Sequence, residues 1–331
     1  NAINFENLDA GILATALTVT GSSAANVITT GSGNDTIDGL AGADTINAGL
    51  GNDIVAYYGT EAQLDGGGGT NTLRLRTIAT VDLSSGDQTL SDAVQVSNFQ
   101  NVDASSLASG VTITGSSGAN TITGSSANDV IDGNGGADIL QGGAGSDSIT
   151  YRGTEASIDG GIGTDTLILS AAGGITTVNL GVTPGSDQTT GDAVSVSNFE
   201  NVNAAALSTG LTFLGSSGAN IITGTSGADT LDGNGGADVI AAGAGNDTVT
   251  YRGNEASIDG GANVNTLVLA ATVSVNLLNS DQTSGDSTNV TQFQNVDASG
   301  LSSGVTLTGS AGANVLTGGT GDDVIDGNGG A

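Results

Sequence analysis

Counted from residue 21 in steps of nine, the eighth position of each step falls on Ile28, Ile37, Ile46, Val55, Leu64 and Leu73. Restarted at 115 it falls on Ile122, Ile131, Leu140, Ile149, Ile158 and Leu167, and at 215 on Ile222, Leu231, Ile240, Val249, Ile258 and Leu267. From 309 it falls on Leu316 and Ile325. All are Ile, Leu or Val in a chain that is 37% hydrophobic, so this position points into a shared core. A period of nine matches neither a helical turn nor a two-residue pleat unless a turn resets the chain each time. The pattern therefore predicts short strands separated by turns. Between these blocks, stretches such as 80–114 alternate Val, Leu, Ile and Phe with polar residues in strand fashion, and they read as wider rungs of the same stack.

The short repeat sits inside a long one. "NFENLDAGILATALTVTGSSAAN" at 4–26 returns in altered form at 98–120, 198–220 and 292–314. Such self-similarity is the mark of a solenoid. The expected organisation is the end of one long repeat over 1–20, then units over 21–114, 115–214 and 215–308 and the start of a fourth over 309–331. Within them the nonapeptide blocks cover 21–74, 115–168 and 215–268, with wider rungs over 75–114 in the first unit. Both ends fall inside a unit and no capping repeat is visible, so the chain is expected to belong to something longer.

Composition narrows the picture. Fifty-seven glycines stand against one proline, and Trp, Met, Cys and His are absent, which suits a thin, repetitive core rather than a broad one. Thirty-four acidic residues face four basic ones, for a net charge of -30 that repels itself unless cations intervene. Nucleic acid is excluded as a partner for want of clustered Lys and Arg. Membrane insertion is not expected, since no long apolar run exists. The absence of cysteine rules out disulfides without deciding the compartment.

Position six of the same register supplies the chemistry. It holds Asn26, Asp35, Asp44 and Asp53, then Asn120, Asp129, Asp138 and Asp147, then Asn220, Asp229, Asp238 and Asp247, and finally Asn314 and Asp323. Glycines mostly occupy positions one, two and four. The pattern, as in "GGAGSDSIT" at 142–150 and "GTGDDVI" at 319–325, resembles the glycine-rich nonapeptide of RTX proteins, the calcium-binding β-roll family. The resemblance implies an all-β, parallel β-solenoid: β-roll blocks of 18-residue coils, alternating here with the wider, β-helix-like rungs, and several Ca2+ ions between turns stacked on the same side. Glycines allow the left-handed backbone that aims carbonyl oxygens inward, and carboxylates supply the charge that a hard cation requires.

Carried onto this chain, the stacked pairs that keep both carboxylates are Asp35 with Asp53, Asp129 with Asp147, Asp147 with Asp165, and Asp229 with Asp247. Asp44, Asp138 and Asp238 have Asn one coil before and Ala62, Ala156 or Ala256 one coil after, so weaker sites are expected there. Asp323 occupies the same position in the last block. Glu61, Glu155 and Glu255 are expected to face solvent, and Asp38, Asp132, Asp232 and Asp326 to sit in turns. Phe5, Phe99, Phe199 and Phe293 read as core, Asn7, Asn101, Asn201 and Asn295 as corner residues, and the "DQT" at 87–89, 187–189 and 281–283 as a turn.

Asp and Asn beside Gly are also ordinary turn residues, which a solenoid can use without metal. Against that, rungs ~4.8 Å apart would stack bare carboxylates at close range. No histidine-based triad or thiolate nucleophile can be built, and the acids are committed to a regular ladder, so no catalysis is expected. The functional expectation is a secreted structural element of a bacterial adhesin, matrix or surface layer, capable of self-association into fibres or a lattice. The alternative is a calcium-triggered folding and secretion module of a toxin or enzyme whose catalytic domain lies outside this chain.

Overall fold

The computed structural model describes residues 2–3, 6–90 and 92–330, and these form strands, turns and bends without a helix. The chain divides into two compact units, Asn1–Asp165 and Thr166–Ala331. Each is a parallel β-solenoid.

In the first unit one sheet runs through Thr18–Thr20, Thr36–Asp38, Ile54–Tyr57 and Thr72–Leu75, with Val19 opposite Ile37, Ile37 opposite Val55 and Val55 opposite Leu73. A second sheet stacks Asn7–Asp9, Val27–Thr29, Thr45–Asn47 and Gln63–Asp65. The chain visits the two in alternation, so partners lie 18 residues apart, as in Thr36 opposite Ile54, and each coil holds two nonapeptides. The three-residue strands send their central residue inward, because successive side chains alternate faces, and the four-residue strands Ile54–Tyr57 and Thr72–Leu75 add Tyr57 and Leu75 by the same alternation. Thus Ile28, Ile37, Ile46, Val55, Leu64 and Leu73 are at most 2% exposed, each contributing roughly 1.5–3 kcal/mol of burial.

The wide stretch does something more specific than widen the stack. Leu73 pairs onward with Val102, 29 residues away, while Leu64 pairs with Val96 and that sheet ends. Between them Thr80–Asp82 folds antiparallel onto Thr89–Leu90 and opens a third sheet that continues through Thr112–Thr114, Val130–Asp132 and Ser148–Tyr151. The enlarged coil thus has three inward strands, and the following block rolls between the first and third sheets. An antiparallel hairpin had no counterpart in the nonapeptide pattern. It forms because the turn around Ser84–Gly86, with Asp82 Oδ1 accepting from Ser84 N–H, reverses the chain. Gln88 locks it: its side-chain Nε2 donates to the carbonyl of Phe99 at 2.8 Å, and its Oε1 accepts from the Phe99 N–H at 2.8 Å.

The second unit repeats the scheme. Phe213, Leu231, Val249 and Leu267 are successive partners in one sheet and Ile222, Ile240 and Ile258 in another. Hairpins recur at Thr177–Asn179 with Thr189–Thr190 and at Ser274–Asn276 with Thr283–Ser284. Gln188 and Gln282 clamp Phe199 and Phe293 as Gln88 clamps Phe99. Those three phenylalanines are buried as expected, while Phe5 lies outside the described residues. Asn7, Asn101, Asn201 and Asn295 accept a backbone N–H from the next coil, at 3.1, 2.7, 2.7 and 2.8 Å. In the strand Val324–Asp326, Ile325 is 48% exposed.

Candidate metal centres

A six-residue turn between strands of opposite sheets brings position six of the register to the inside of the bend. Ten of the aspartates predicted to bind metal, Asp35, Asp44, Asp53, Asp129, Asp138, Asp147, Asp165, Asp229, Asp238 and Asp247, are at most 2% exposed. The eleventh, Asp323, is half-buried. In each, Oδ1 accepts the backbone N–H of the residue one coil earlier. Asp53 accepts from Asp35 at 2.7 Å, Asp147 from Asp129, Asp165 from Asp147 and Asp247 from Asp229 at 2.8 Å. The four pairs named from the sequence are therefore brought together, each carboxylate directly against its neighbour's backbone.

Asp44, Asp138 and Asp238 accept from Asn26, Asn120 and Asn220, at 2.7, 2.8 and 2.8 Å. On the far side Ala62, Ala156 and Ala256 offer no side-chain oxygen, and their N–H groups donate to the aspartate carbonyls instead. Asp323 accepts from Val305 at 2.9 Å.

The second carboxylate oxygen is where the turns become unusual. Oδ2 of Asp35, Asp44, Asp53, Asp138, Asp147, Asp238 and Asp247 is buried and has no hydrogen-bond partner. A buried anion without a donor is costly. Burial accordingly pushes the carboxyls of Asp53, Asp138, Asp147, Asp238 and Asp247 up to about 6, against the hydrogen bonds they accept. Neighbouring acids add to the rise: Asp35 at Asp53, Glu155 and Asp132 at Asp138, Asp129 and Asp165 at Asp147, Glu255 and Asp232 at Asp238, Asp229 at Asp247. Burial also raises Asp44 and Asp229.

Asn at the same position has no such debt. Asn120 Oδ1 accepts from Ser116 N–H at 2.7 Å while its Nδ2 donates to the carbonyl of Gln100 at 2.6 Å. Asn71 and Asn265 close the far ends of two columns, accepting from Asp53 and Asp247 and donating to the carbonyls of Asn98 and Gln292. An amide brings its own donor, and a carboxylate does not.

The glutamates depart from expectation. Glu61, Glu155 and Glu255 do not face solvent; they are 5%, 4% and 2% exposed. The reason is a concave run of backbone N–H groups just before each: Glu155 accepts from Arg152 at 2.7 Å, Gly153 at 2.8 Å and Thr154 at 3.0 Å, and Glu255 repeats the set. A carboxylate one residue beyond the run fills it, as an anion fills a nest. The position-nine aspartates, expected in turns, instead end the strands Thr36–Asp38, Val130–Asp132, Thr230–Asp232 and Val324–Asp326 and start the turns from there by accepting the N–H two residues on, and Asp132 and Asp232 also pair with Arg152 and Arg252 at 2.7 Å. The signal for those ion pairs in the sequence is their spacing of 20 residues, one coil plus two.

The donor set fits a hard cation. Charged oxygens lie buried, without protons to accept, and backbone carbonyls line the same turns. Among the described residues no three acidic side chains converge on one point, so a calcium ion held by these carboxylates would need backbone oxygens to reach its usual six to eight. The turn before Asp147 requires its glycines: a Cβ on Gly142 would overlap Asp147 Oδ2, and Gly143, at φ +112°, would drive one into the Ser125 carbonyl.

The RTX calcium-binding nonapeptide repeat matches this chain in four copies, at residues 20–55, 114–149, 214–249 and 306–331. Four segments of the chain are thus RTX calcium-binding repeats. No curated protein matches it. The matched segments contain the columns just described, from Asp35 to Asp53, Asp129 to Asp147 and Asp229 to Asp247. RTX repeats bind calcium, which agrees with the donor-free oxygens of those columns. When bound, the ion supplies positive charge between coils. At Asp35, Asp53, Asp147 and Asp247 the chain's own part is to hold the carboxylate by one oxygen, through the N–H of the preceding coil, and keep the other buried without a donor.

Proposed function

We propose that this RTX chain is a calcium-stiffened structural module of an extracellular protein, an arm, fibre or lattice element of a bacterial adhesin, matrix or surface layer. The observation that carries the reading is the recurrence, block after block, of buried carboxylate oxygens with no proton donor. Each such oxygen opposes stacking until a cation arrives. With a net charge of -30, the chain is loose where calcium is scarce and stacks where it is plentiful, which favours export before folding. Extracellular modules bind calcium at about 10⁻⁴ to 10⁻³ M, enough for this purpose. Tandem long units suit a spacer better than a single terminal folding cap, and the chain's ordered ladder of acids suits cation binding better than catalysis.

Circular dichroism and thermal melting, in millimolar calcium and in excess EGTA, test this. The β signal and the melting point should both fall on chelation and recover on adding calcium back. An unchanged spectrum and melting point after exhaustive chelation would refute calcium stiffening.

A further inference from the structure

The turns are of two kinds, and the residue at position two separates them. Ser125 donates its backbone N–H to Asp129 Oδ2 at 2.6 Å and its hydroxyl to Asp129 Oδ1 at 2.9 Å. Thr225 does the same to Asp229, with its N–H at 2.7 Å from Oδ2 and its hydroxyl at 3.0 Å from Oδ1. With the N–H of Val111 or Leu211 on Oδ1 at 2.7 Å, both oxygens of these two carboxylates are satisfied by protein donors. Neither Ser125 nor Thr225 has a positive φ. In the other kind, position two is left-handed: Leu40 at +64°, Gly49 at +87°, Asn134 at +65°, Gly143 at +112°, Asn234 at +62° and Gly243 at +104°. Every one of those turns leads to an aspartate whose Oδ2 has no partner. A left-handed residue turns its N–H away from position six, and no hydroxyl replaces it. Gly31 is not left-handed, yet Asp35 Oδ2 is also without a partner, so handedness alone does not close the turn; the Ser or Thr does.

We propose that Ser125 and Thr225 take the place of the cation at Asp129 and Asp229, so that calcium is confined to turns whose second position is Gly, Asn or Leu. This rests on the calcium reading above. Because Asn120 and Asn220, one nonapeptide earlier, are likewise closed by Ser116 and Ser216, the second and third blocks each begin with two successive turns that need no metal. Those turns form a cation-independent base on which the cation-dependent coils stack.

The experiment is a calcium titration by calorimetry on the full chain, wild type against the double variant Ser125→Gly, Thr225→Gly. Opening both turns should raise the bound calcium by about one ion per opened turn and lower the melting point in EGTA more than in calcium. A second pair keeps the test decisive if the double variant misfolds: Asp229→Asn should leave the calcium count unchanged, whereas Asp247→Asn should reduce it. Wild-type protein that binds no calcium would sink the functional reading itself. Calcium bound by the wild type, with Asp229→Asn and Asp247→Asn losing it equally, or with no gain on opening the turns, would overturn this inference alone.

Discussion

Asp147 offers the sharpest perturbation, because it lies at the centre of the column Asp129, Asp147, Asp165 and its replacement by Asn should act with opposite sign in two buffers. The carboxyl is 1% exposed, has one oxygen on the Asp129 N–H at 2.8 Å and the other without a partner, and is pushed from 3.8 up to about 6. At neutral pH without metal, a rise of that size corresponds to about 3 kcal/mol of unfavourable buried charge. The amide removes the charge but leaves a buried N–H in its place, at about 1–3 kcal/mol. The net in EGTA is therefore between about zero and 2 kcal/mol in favour of the variant. For a unit of this size that leaves the melting point level or up to about 8 °C higher. In calcium the sign reverses, since a charged ligand is lost from a column it shares with two neighbours. Paired melts of wild type and Asp147→Asn, read by circular dichroism in EGTA and in millimolar calcium, decide the matter. A loss of equal size in both buffers would show that Asp147 is an ordinary packing residue and that its burial has nothing to do with cations.

Three further outcomes are expected. The carboxyls held near 6 in Asp53, Asp138, Asp147, Asp238 and Asp247 bind protons more tightly folded than unfolded, so the metal-free protein should gain stability as pH falls from 7 through 6, the gain being complete near 3.8. Chelated samples melting lower at pH 5 than at pH 7 would contradict this. Glu155→Ala strips an acceptor from three backbone N–H groups and should cost about 2–4 kcal/mol in calcium and EGTA alike, measured by urea unfolding; a loss seen only in calcium would make Glu155 a metal ligand instead. Gln188→Ala removes both hydrogen bonds to Phe199 and should lower stability by about 2–3 kcal/mol without altering calcium stoichiometry.

The repeat made much of the molecule legible beforehand. A side chain that is Ile, Leu or Val at every ninth position can only be explained by a core visited once per nonapeptide, and Ile37, Ile131 and Leu231 are buried as that demands. The aspartate columns followed from the same arithmetic. The hairpin at Thr80–Leu90 did not, because alternation within a strand says nothing about which way the next strand runs. Glu155 was misplaced for a related reason: its position in the register is an exposed one in the ordinary nonapeptide, and only the local run of N–H groups draws it inward.

Sequence alone, then, determined the period, the identity of the core residues and the acids that stack, since these depend on counting along one chain. What tertiary structure decided is which of those acids lack a partner. Asp129 and Asp147 occupy the same place in the register, yet one has both oxygens bonded and the other has one oxygen bare. The difference lies at the second position of the turn, where Ser125 aims its N–H and hydroxyl at Asp129 and Gly143 offers Asp147 neither, a geometry that becomes visible only when coils are stacked and each donor has somewhere to point.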